Sequence, residues 1–556
     1  MTTTPDGGTA VPADALAGGT TGPDALAPLL HTVLDALAKG AVDRAGPLPD
    51  GGPTGTARDI AHALRHPAPP TAPVTPPRPD LLRPRGTGPT EALHTLTRAL
   101  ARGAADPADP ACAAHLHCPP LAVAAAADLA AAALNPSLDS WDQAPSATAL
   151  EEAVITAFAT LVGYDPAHAA GAVTSGGTES NLTALLLARD TALRAHAQQA
   201  TPTHDPTDGI PPHWAGRLRV FCSTEAHFSI ARSAGILGIG AGRTTTVPTD
   251  DRHRMDPAAL DAALAAATRD GNLPVAVVAT AGTTDTGSID PLEPIAAVCR
   301  RHRVHLHVDA SYGTGALFTP RLRPLLDGLP EADTIALDTH KLGWQPVASG
   351  ILLARHADTF HPLAQRAAYL NPDDDEAAGY PSLLGRSLRT TRRADAFKIA
   401  VTLRALGTDG LGDLVERCHR LAHHAARRID AHPRLELHAP PVLTTVVFRY
   451  LPPPGTPASA TPTPPADPDR INARLRRRLL ETGRAVIGRT TVRPATGPGT
   501  PPGTVRLKLT LLNPHTTPDD LDQLLSLVVT EGDALSTSHT PGDHPVPPRR
   551  PRCEEP

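Results

Sequence analysis

Cysteine is scarce in this sequence, and the few cysteines are not spaced as a metal site. The 556 residues include six cysteines, and no two of them form a CxxC pair. A long chain with so few thiols is not a disulfide-stabilised secreted scaffold, and this spacing is not that of a structural zinc site. We therefore expect free thiols, no metal centre and a cytoplasmic protein.

A secretory signal, a basic run and a long apolar run are also missing. The first residues, MTTTPDGGTAVPADALAGG, contain neither a basic nor an apolar region. The most apolar stretch, 121–134, is short and contains Asp128, so it predicts a buried helix rather than a membrane span. With 51 Lys and Arg against 57 Asp and Glu, the charge favours neither nucleic acid nor a membrane as a partner.

Proline, in contrast, is abundant, with 62 residues that cluster in segments we interpret as linkers and loops. A chain of 556 residues is too long for one simple core. We predict five regions: a disordered N-terminus at 1–24, a helical arm at 25–134, a large domain at 135–403, a small C-terminal domain at 404–533 and a disordered tail at 534–556.

Helical periodicity marks the arm. Residues 25–39 carry apolar side chains at helical spacing, and further helices are predicted at 56–65 and 91–103. Short helices with proline-rich connections bury little surface by themselves. We therefore expect the arm to pack across a second subunit.

Apolar strand-like runs alternate with helical segments from about 147 to 354. Uninterrupted apolar strands are typical of a largely parallel sheet covered on both faces. In such sheets ligands bind at the C-terminal ends of the strands. Reactive or polar side chains follow several of the predicted strands: Thr174, Ser175, His227, Thr283, Thr284, Asp309 and Lys341.

Lys341 lies between two apolar strand-like runs, directly after His340. A lysine there is costly to desolvate unless its amine has a partner or forms a covalent bond. One such bond is a Schiff base to an aldehyde cofactor such as pyridoxal phosphate. A His-Lys pair alone is usually a solvated loop. The hypothesis therefore depends on a phosphate cradle, an acid for the ring nitrogen and a flat group to cover the ring.

Two segments offer the cradle and the flat group. GAVTSGGTESN, 171–181, predicts a strand, a glycine turn and a helix, whose N-terminus suits a single phosphate. It is neither a P-loop nor GxGxxG, and an ordinary helix cap explains it equally well. His227 after the next strand is either structural or a flat ring for stacking.

Three further segments have open interpretations. HLHCPP, 115–120, is a turn, a substrate-facing wall or a set of metal ligands formed by His115, His117 and Cys118. NPSLDSWDQAP, 135–145, either caps the next helix or lines a pocket with Trp141 and Asp142 for a cationic substrate. The polar segment 366–393 contains Tyr380 and is a candidate lid. Beyond it, a helix at 394–406 and an α+β pattern from 444 to 530 predict the small domain.

The order TSGGTESN, STEAHFS, ATAGTTDTGSIDP, HVDASYG and DTHK resembles the group II pyridoxal-phosphate amino-acid decarboxylases over about residues 110–530. HLHCPP, NPSLDSWDQAP and LKLTLLNPHTT are most similar to the bacterial 2,4-diaminobutyrate and siderophore-pathway lysine branch. The resemblance implies an α/β protein of the fold type I, aspartate-aminotransferase-like class. It also implies a homodimer with sites at the subunit interface.

The resemblance implies roles for the residues around the cofactor, which the large domain would bind. Lys341 would hold pyridoxal 5'-phosphate, Asp309 would face the pyridine nitrogen, His227 would stack on the ring and Tyr380 would protonate the carbanion. Ser311 stands where the family usually has alanine. The remaining cofactor contacts implied are Ser175, Gly176, Gly177, Thr283, Asp338 and His340.

For the substrate, the resemblance implies Arg393 as the partner of the α-carboxylate, with Trp141, Asp142 and His117 as pocket residues. The predicted reaction is decarboxylation of an L-amino acid, with 2,4-diaminobutyrate or lysine ahead of glutamate and the aromatic amino acids. Two alternatives stay open at this point. One is an aminotransferase or carbon–sulfur lyase of the same fold, and the other is an inactive structural relative.

Overall fold

The computed structural model describes most of the chain, and some predictions fall outside the described residues. They concern residues 1–10 and 538–556 of the two predicted disordered termini, and residues 454–466 of the predicted proline-rich loop at 451–468. The described residues are 11–64, 81–82, 84–200, 209–364, 367, 369–453, 467–492 and 503–537.

A seven-stranded sheet forms the centre of the large domain. Its strands are β1 (Ala170–Thr174), β2 (Leu218–Ser223), β3 (Thr244–Val247), β4 (Leu273–Thr280), β5 (His305–Ala310), β6 (Thr334–Asp338) and β7 (Gly350–Ala354). They lie in the order β1-β7-β6-β5-β4-β2-β3. The pairs from β6 to β3 are parallel, whereas β7 is antiparallel to both β1 and β6. The largely parallel sheet expected from the sequence is confirmed.

Helices cover both faces of this sheet, and a second set builds the arm and the small domain. The α-helices of the described residues are α1 (Gly22–Arg44), α2 (Gly52–Ala63), α3 (Pro89–Gly103), α4 (Ala122–Leu134), α5 (Pro145–Val162), α6 (Gly177–Ala200), α7 (Ser229–Ile236), α8 (Pro257–Arg269), α9 (Leu292–His302), α10 (Asp373–Ala377), α11 (Ala396–Asp430), α12 (Pro468–Glu481) and α13 (Pro518–Thr537).

Strand β4 shows why the sheet is apolar on both faces. Its alternate side chains point to opposite sides. Val277 and Ala279 join the core that contains α5, α8 and α9, whereas Ala276 and Val278 join the core that contains α6 and α7. All four side chains are fully buried. The uninterrupted apolar strand in the sequence is the direct consequence of this two-sided burial.

A four-stranded antiparallel sheet forms the small domain, in the order β10-β11-β9-β8. Its strands are β8 (Leu435–Leu437), β9 (Thr445–Tyr450), β10 (Gly488–Val492) and β11 (Thr504–Thr510). They share a core with α12, α13 and the second half of α11. Gly407, with φ of 67°, breaks α11 into two helices. The predicted helix at 394–406 covers the first of these, and the second was not predicted.

The predicted arm at 25–134 divides into parts with different neighbours. Helices α1, α2 and α3 pack on one another, whereas α4 packs on α11. Helix α1 buries only three small residues, and α2 and α3 bury none. Within the described residues, α1 is the one helix whose length and composition would allow a membrane span, although it carries Asp24, Asp35 and Lys39.

The boundaries predicted for the disordered termini need correction at both ends. Residues 22–24 belong to α1, and residues 534–537 belong to α13. Pro23 in the first turn of α1 supports the start of that helix because its missing N–H needs no partner there. Both ordered regions therefore extend a few residues further than the composition indicated.

Candidate active site at the strand ends

A cavity of about 400 Å³ opens at the carboxyl ends of the parallel strands. Its wall comes from the residues that follow β1, β2, β4, β5 and β6, with two residues of β11 from the small domain. Ser175, His227, Asp309 and Lys341 all line it, as the strand-end pattern predicted. Side chains that are far apart in the sequence therefore meet because parallel strands end at the same edge.

Lys341 has a carboxylate partner inside the cavity. Its Nζ lies 2.8 Å from Oδ2 of Asp338, which is almost completely buried. The other oxygen of Asp338 is buried without a hydrogen-bond partner. His340 places Nδ1 2.9 Å from the carbonyl oxygen of Ser349, which orients its ring beside the same carboxylate. Lys341 is thus paired with a buried carboxylate inside the cavity.

The turn between β1 and α6 has room only for glycine. Gly176 has φ of +150°, and a Cβ on it would lie 3.2 Å from Cε1 of His340. A Cβ on Gly177 would lie 2.3 Å from Oγ of Ser311. Backbone without side chains at a helix N-terminus is the arrangement that binds phosphate. The cradle fits the phosphate of the cofactor that the sequence implies.

One donor predicted for that phosphate is already engaged. The Ser175 N–H donates to Oε2 of Glu179 at 2.7 Å, and Nε of Arg389 donates to the other oxygen at 2.8 Å. Glu179 therefore caps the first turn of α6. Glu179 was not among the predicted site residues, although an acid three residues into a helix is a recognisable capping signal.

Asp309 is a buried carboxylate with three hydrogen bonds. Oδ1 accepts from the backbone N–H of Ser311 at 3.1 Å and from its hydroxyl at 2.6 Å, and Oδ2 accepts from the Asn181 amide at 2.8 Å. Burial raises the pKa of Asp309, but Lys341 and the donors from Ser311 and Asn181 outweigh it and hold the pKa below its ordinary value. An ionised acid here suits a protonated pyridine nitrogen.

His227 presents a neutral ring to the cavity. Its Nδ1 lies 2.8 Å from Oγ of Ser229, the first residue of α7. Burial lowers the pKa of His227, and the charge of Lys341 lowers it further. A neutral, flat imidazole at a strand end fits the predicted stacking role.

The predicted substrate residues do not line this cavity within one chain. Trp141 and Tyr380 pack against each other edge to face, with 5.0 Å between their ring centroids. Asp142 accepts from the hydroxyl of Ser140 at 2.5 Å. These contacts place the predicted pocket loop and the predicted lid together. Among the described residues, the cavity wall includes His115 and Leu116 but not His117.

Arg393 and Thr283 also lie elsewhere than expected. The guanidinium of Arg393 pairs with Asp128 at 2.6 Å and with Asp395 at 3.0 Å. These two side chains therefore occupy the group that was predicted to bind the substrate α-carboxylate. The Thr283 hydroxyl accepts from the Ser288 N–H at 3.0 Å and closes its own turn. Its neighbour Thr284 lines the cavity instead. Within the described residues of one chain, neither Arg393 nor Thr283 lines the cavity, and their predicted roles stay predictions.

Cys118 has a structural role. Its thiol donates to the carbonyl oxygen of His340 at 3.1 Å, and burial raises its pKa to about 12. A thiol that stays protonated is a poor metal ligand. The buried thiol disfavours the metal interpretation of HLHCPP, and His115 and Leu116 of this turn form part of the cavity wall.

Lys508 is a cavity residue that the sequence reasoning missed. It lies on β11 and is almost buried, with Nζ 2.7 Å from Asp285 and 3.1 Å from the carbonyl oxygen of Thr284. It therefore joins the small domain to the loop after β4. The available signal was a lysine between two leucines in an otherwise apolar strand, VRLKLTLL.

Comparison with known proteins extends these observations. Residues 90–451 match the pyridoxal-dependent decarboxylase conserved domain. The chain is 42% identical over 454 residues to L-2,4-diaminobutyrate decarboxylase of Rhizobium meliloti (strain 1021), covering 82% of this chain and 84% of that protein. It is 35% identical over 438 residues to the protein of the same name from Acinetobacter baumannii, covering 78% and 82%.

A solved structure with a similar fold is the glutamate decarboxylase domain of diaminobutyrate-pyruvate transaminase and L-2,4-diaminobutyrate decarboxylase from Vibrio parahaemolyticus. It superimposes with a TM-score of 0.76 at 30% identity, covering 93% of this chain and 97% of that one. The fold type I architecture expected from the sequence is confirmed. Together with the match over more than half of the chain, this shows that the protein belongs to the pyridoxal-dependent decarboxylase family and is a carboxy-lyase that uses pyridoxal phosphate.

Proposed function

We propose that this decarboxylase acts on a small basic L-amino acid, with L-2,4-diaminobutyrate as the preferred substrate. The observation that carries the proposal is the similarity, over most of the chain, to two proteins named for that reaction. The products are the corresponding amine and carbon dioxide. Lysine, glutamate and aromatic amino acids are the competing substrates.

The residues of the cavity divide the work. Pyridoxal phosphate, when bound, supplies a ring that takes up the electrons left by departing carbon dioxide. Asp309 would keep the ring nitrogen protonated, and the turn at Gly176 would hold the phosphate. Lys341 would hold the cofactor, and Asp338, 2.8 Å from its Nζ, would orient that amine.

Lys508 is our proposed partner for the substrate α-carboxylate, in place of Arg393. Lys508 lines the cavity and keeps its pair with Asp285 at the cavity wall, whereas Arg393 is not among the described residues that form this wall. Lys508→Met is expected to raise KM for the preferred substrate at least tenfold, because a buried charge-assisted hydrogen bond is worth about 1.5–3 kcal/mol. An Arg393→Met variant with the larger increase in KM would contradict this assignment.

A substrate panel tests the proposed function. Carbon dioxide release is measured with L-2,4-diaminobutyrate, ornithine, lysine, glutamate, tyrosine and tryptophan, and keto-acid formation is measured in parallel. We expect the highest kcat/KM for L-2,4-diaminobutyrate. A preference for glutamate or an aromatic amino acid would refute the substrate proposal. Keto acid as the main product would favour the aminotransferase alternative.

We also propose that the protein is a homodimer and that it is located in the cytoplasm. The large exposed side chains of α1 and α3, such as Leu34 and Leu100, support a partner subunit that covers them. The Trp141–Tyr380 pair also supports a partner subunit, because the two loops that carry these rings lie outside the cavity of their own chain. Light scattering after size exclusion is expected to give twice the chain mass. Recovery of the protein with the membrane fraction would contradict the cytoplasmic assignment.

A further inference from the structure

We propose that Asn181 and Ser229 are positioning residues that fix the ring proton of His227 on Nε2. They do so through a chain of hydrogen bonds that starts at Asp309. Neither residue was singled out by its sequence motif. These residues belong to the side of the site that would face the cofactor ring. The inference therefore holds for any amino-acid substrate and goes beyond the proposed function.

The direction of the chain is set at Asp309. Its carboxylate is ionised and can only accept hydrogen bonds. The Asn181 side chain lies 2.8 Å from Oδ2, so its amide must present the NH₂ group there. Asn181 is 1% exposed, and water does not compete for this contact. The orientation of the amide therefore follows from the chemistry of its carboxylate partner.

His307 holds the other end of the same amide. Its Nε2 lies 2.9 Å from Oδ1 of Asn181, which can only accept, so the proton of His307 is on Nε2. Its Nδ1 lies 2.9 Å from the hydroxyl of Thr334, which can donate to it. Burial lowers the pKa of His307 to about 4, so the ring is neutral near pH 7. Asn181 is therefore locked from both sides.

Ser229 passes the direction on to His227. The second N–H of the Asn181 amide points at Oγ of Ser229, 3.0 Å away, and uses that oxygen as an acceptor. The hydroxyl proton of Ser229 is then free to point at Nδ1 of His227, 2.8 Å away. The backbone N–H of Ser229 lies 3.4 Å from the same nitrogen. With donors on Nδ1, the proton of the neutral ring is on Nε2.

The chain stabilises the neutral form of His227 against the charges around it. Asp309 and Asp338 raise the pKa of His227, whereas burial, Lys341 and Arg232 lower it. The hydroxyl that donates to Nδ1 also lowers the pKa of His227, because Nδ1 can accept this hydrogen bond only while it carries no proton. An imidazolium beside a protonated pyridine ring would repel it. Keeping His227 neutral therefore preserves cofactor affinity as the pH falls.

Cofactor binding to the apoprotein tests this without measuring turnover. Ser229→Ala removes the hydroxyl donor, so the pKa of His227 rises toward its ordinary value. The dissociation constant of pyridoxal 5'-phosphate is measured by fluorescence titration from pH 5.5 to 8.5, as a ratio to the wild type at each pH. We expect a ratio near one at pH 8.5 that rises steadily as the pH falls to 5.5, with a limit of about tenfold for each unit by which the pKa of His227 increases.

Ser233→Ala is the matched control. Ser233 is buried one turn further along α7 and lies outside this chain of hydrogen bonds. Its ratio is expected to be independent of pH. Ser229→Thr keeps a hydroxyl and is expected to follow the wild type. A ratio for Ser229→Ala that does not change with pH overturns the proposal, even if the affinity is lower throughout.

A second variant covers the case in which Ser229→Ala does not fold. Asn181→Asp replaces the amide donors with acceptors, so the Ser229 hydroxyl turns toward the new carboxylate and away from His227. The same loss of affinity at low pH is expected. A loss that is equal at pH 6 and pH 8.5 contradicts the proposal.

Discussion

The strand ends of the large domain and the arm helices α1 to α3 use their side chains in opposite ways. At the strand ends, Asp309 accepts three hydrogen bonds, and Lys341 has a buried carboxylate within 2.8 Å. In the arm, Leu34 and Leu100 are 64% and 68% exposed. The first region pairs most of its buried polar groups within one chain, although one oxygen of Asp338 has no hydrogen-bond partner among the described residues, whereas the second leaves large apolar side chains exposed.

This difference separates two kinds of requirement. A cofactor site needs dry, preorganised charges, which a sheet edge surrounded by helices provides without help. Exposed leucines on a helical arm gain stability only when another surface removes them from water. Substitutions at the strand ends should therefore act on chemistry and folding, and substitutions in the arm should act on assembly.

The largest effect is expected from Lys341→Ala. The variant loses the amine that we expect to hold the cofactor, and activity should fall by a factor on the order of 10³ or more. The absorption band of the lysine-bound cofactor should disappear, while circular dichroism and the mass measured by light scattering stay unchanged. A variant that keeps this band would contradict the role assigned to Lys341.

Arg392→Met should destabilise the strand ends themselves. Arg392 and Glu151 are both 2% exposed and lie 2.6 Å apart, and Glu151 also accepts from the Val173 N–H at the end of β1. Removing one partner leaves a buried charge, which costs about 3–5 kcal/mol. Chemical denaturation measures this loss. The double variant Glu151→Met with Arg392→Met should be more stable than Arg392→Met alone.

Leu34→Asp combined with Leu100→Asp should break the arm without damaging the site. Charges on the face proposed to meet a partner should shift the dimer toward the monomer, because their desolvation opposes association. Light scattering over a concentration series measures the shift. Ala38→Asp, one turn further along the same face of α1, removes little apolar area and should shift the equilibrium less than the double variant does. A monomeric double variant that still binds pyridoxal phosphate would sharpen the contrast between the two regions.

The smallest effect is expected from Arg98→Ala in the arm. Its Nε pairs with Asp43 at 2.6 Å on the surface, and the pair holds the pKa of Asp43 below its ordinary value. Exposed ion pairs contribute little because water screens them. The melting temperature should not change measurably at 0.15 M salt. A clear decrease would show that the arm is a structural unit of greater stability than its burial indicates.

Particular elements show how much could be predicted. The strand ends were predictable because uninterrupted apolar runs followed by polar residues are a local pattern, and Asp309, His227 and Lys341 do meet in one cavity. The second half of α11 was missed because its segment starts with glycines and is rich in arginine and histidine. Lys508 was missed because its position in the cavity depends on how the small domain docks.

The sequence by itself determined the parallel sheet, the order of the site motifs and the lysine around which they gather. These depend on the period of apolar residues and on which residues follow each strand, and both can be read locally. Only the tertiary structure decided the partners. The pairing of Arg393 with Asp128, of Lys508 with Asp285 and of Asn181 with Asp309 joins residues far apart in sequence. Such pairs follow from packing and electrostatic satisfaction over the whole fold.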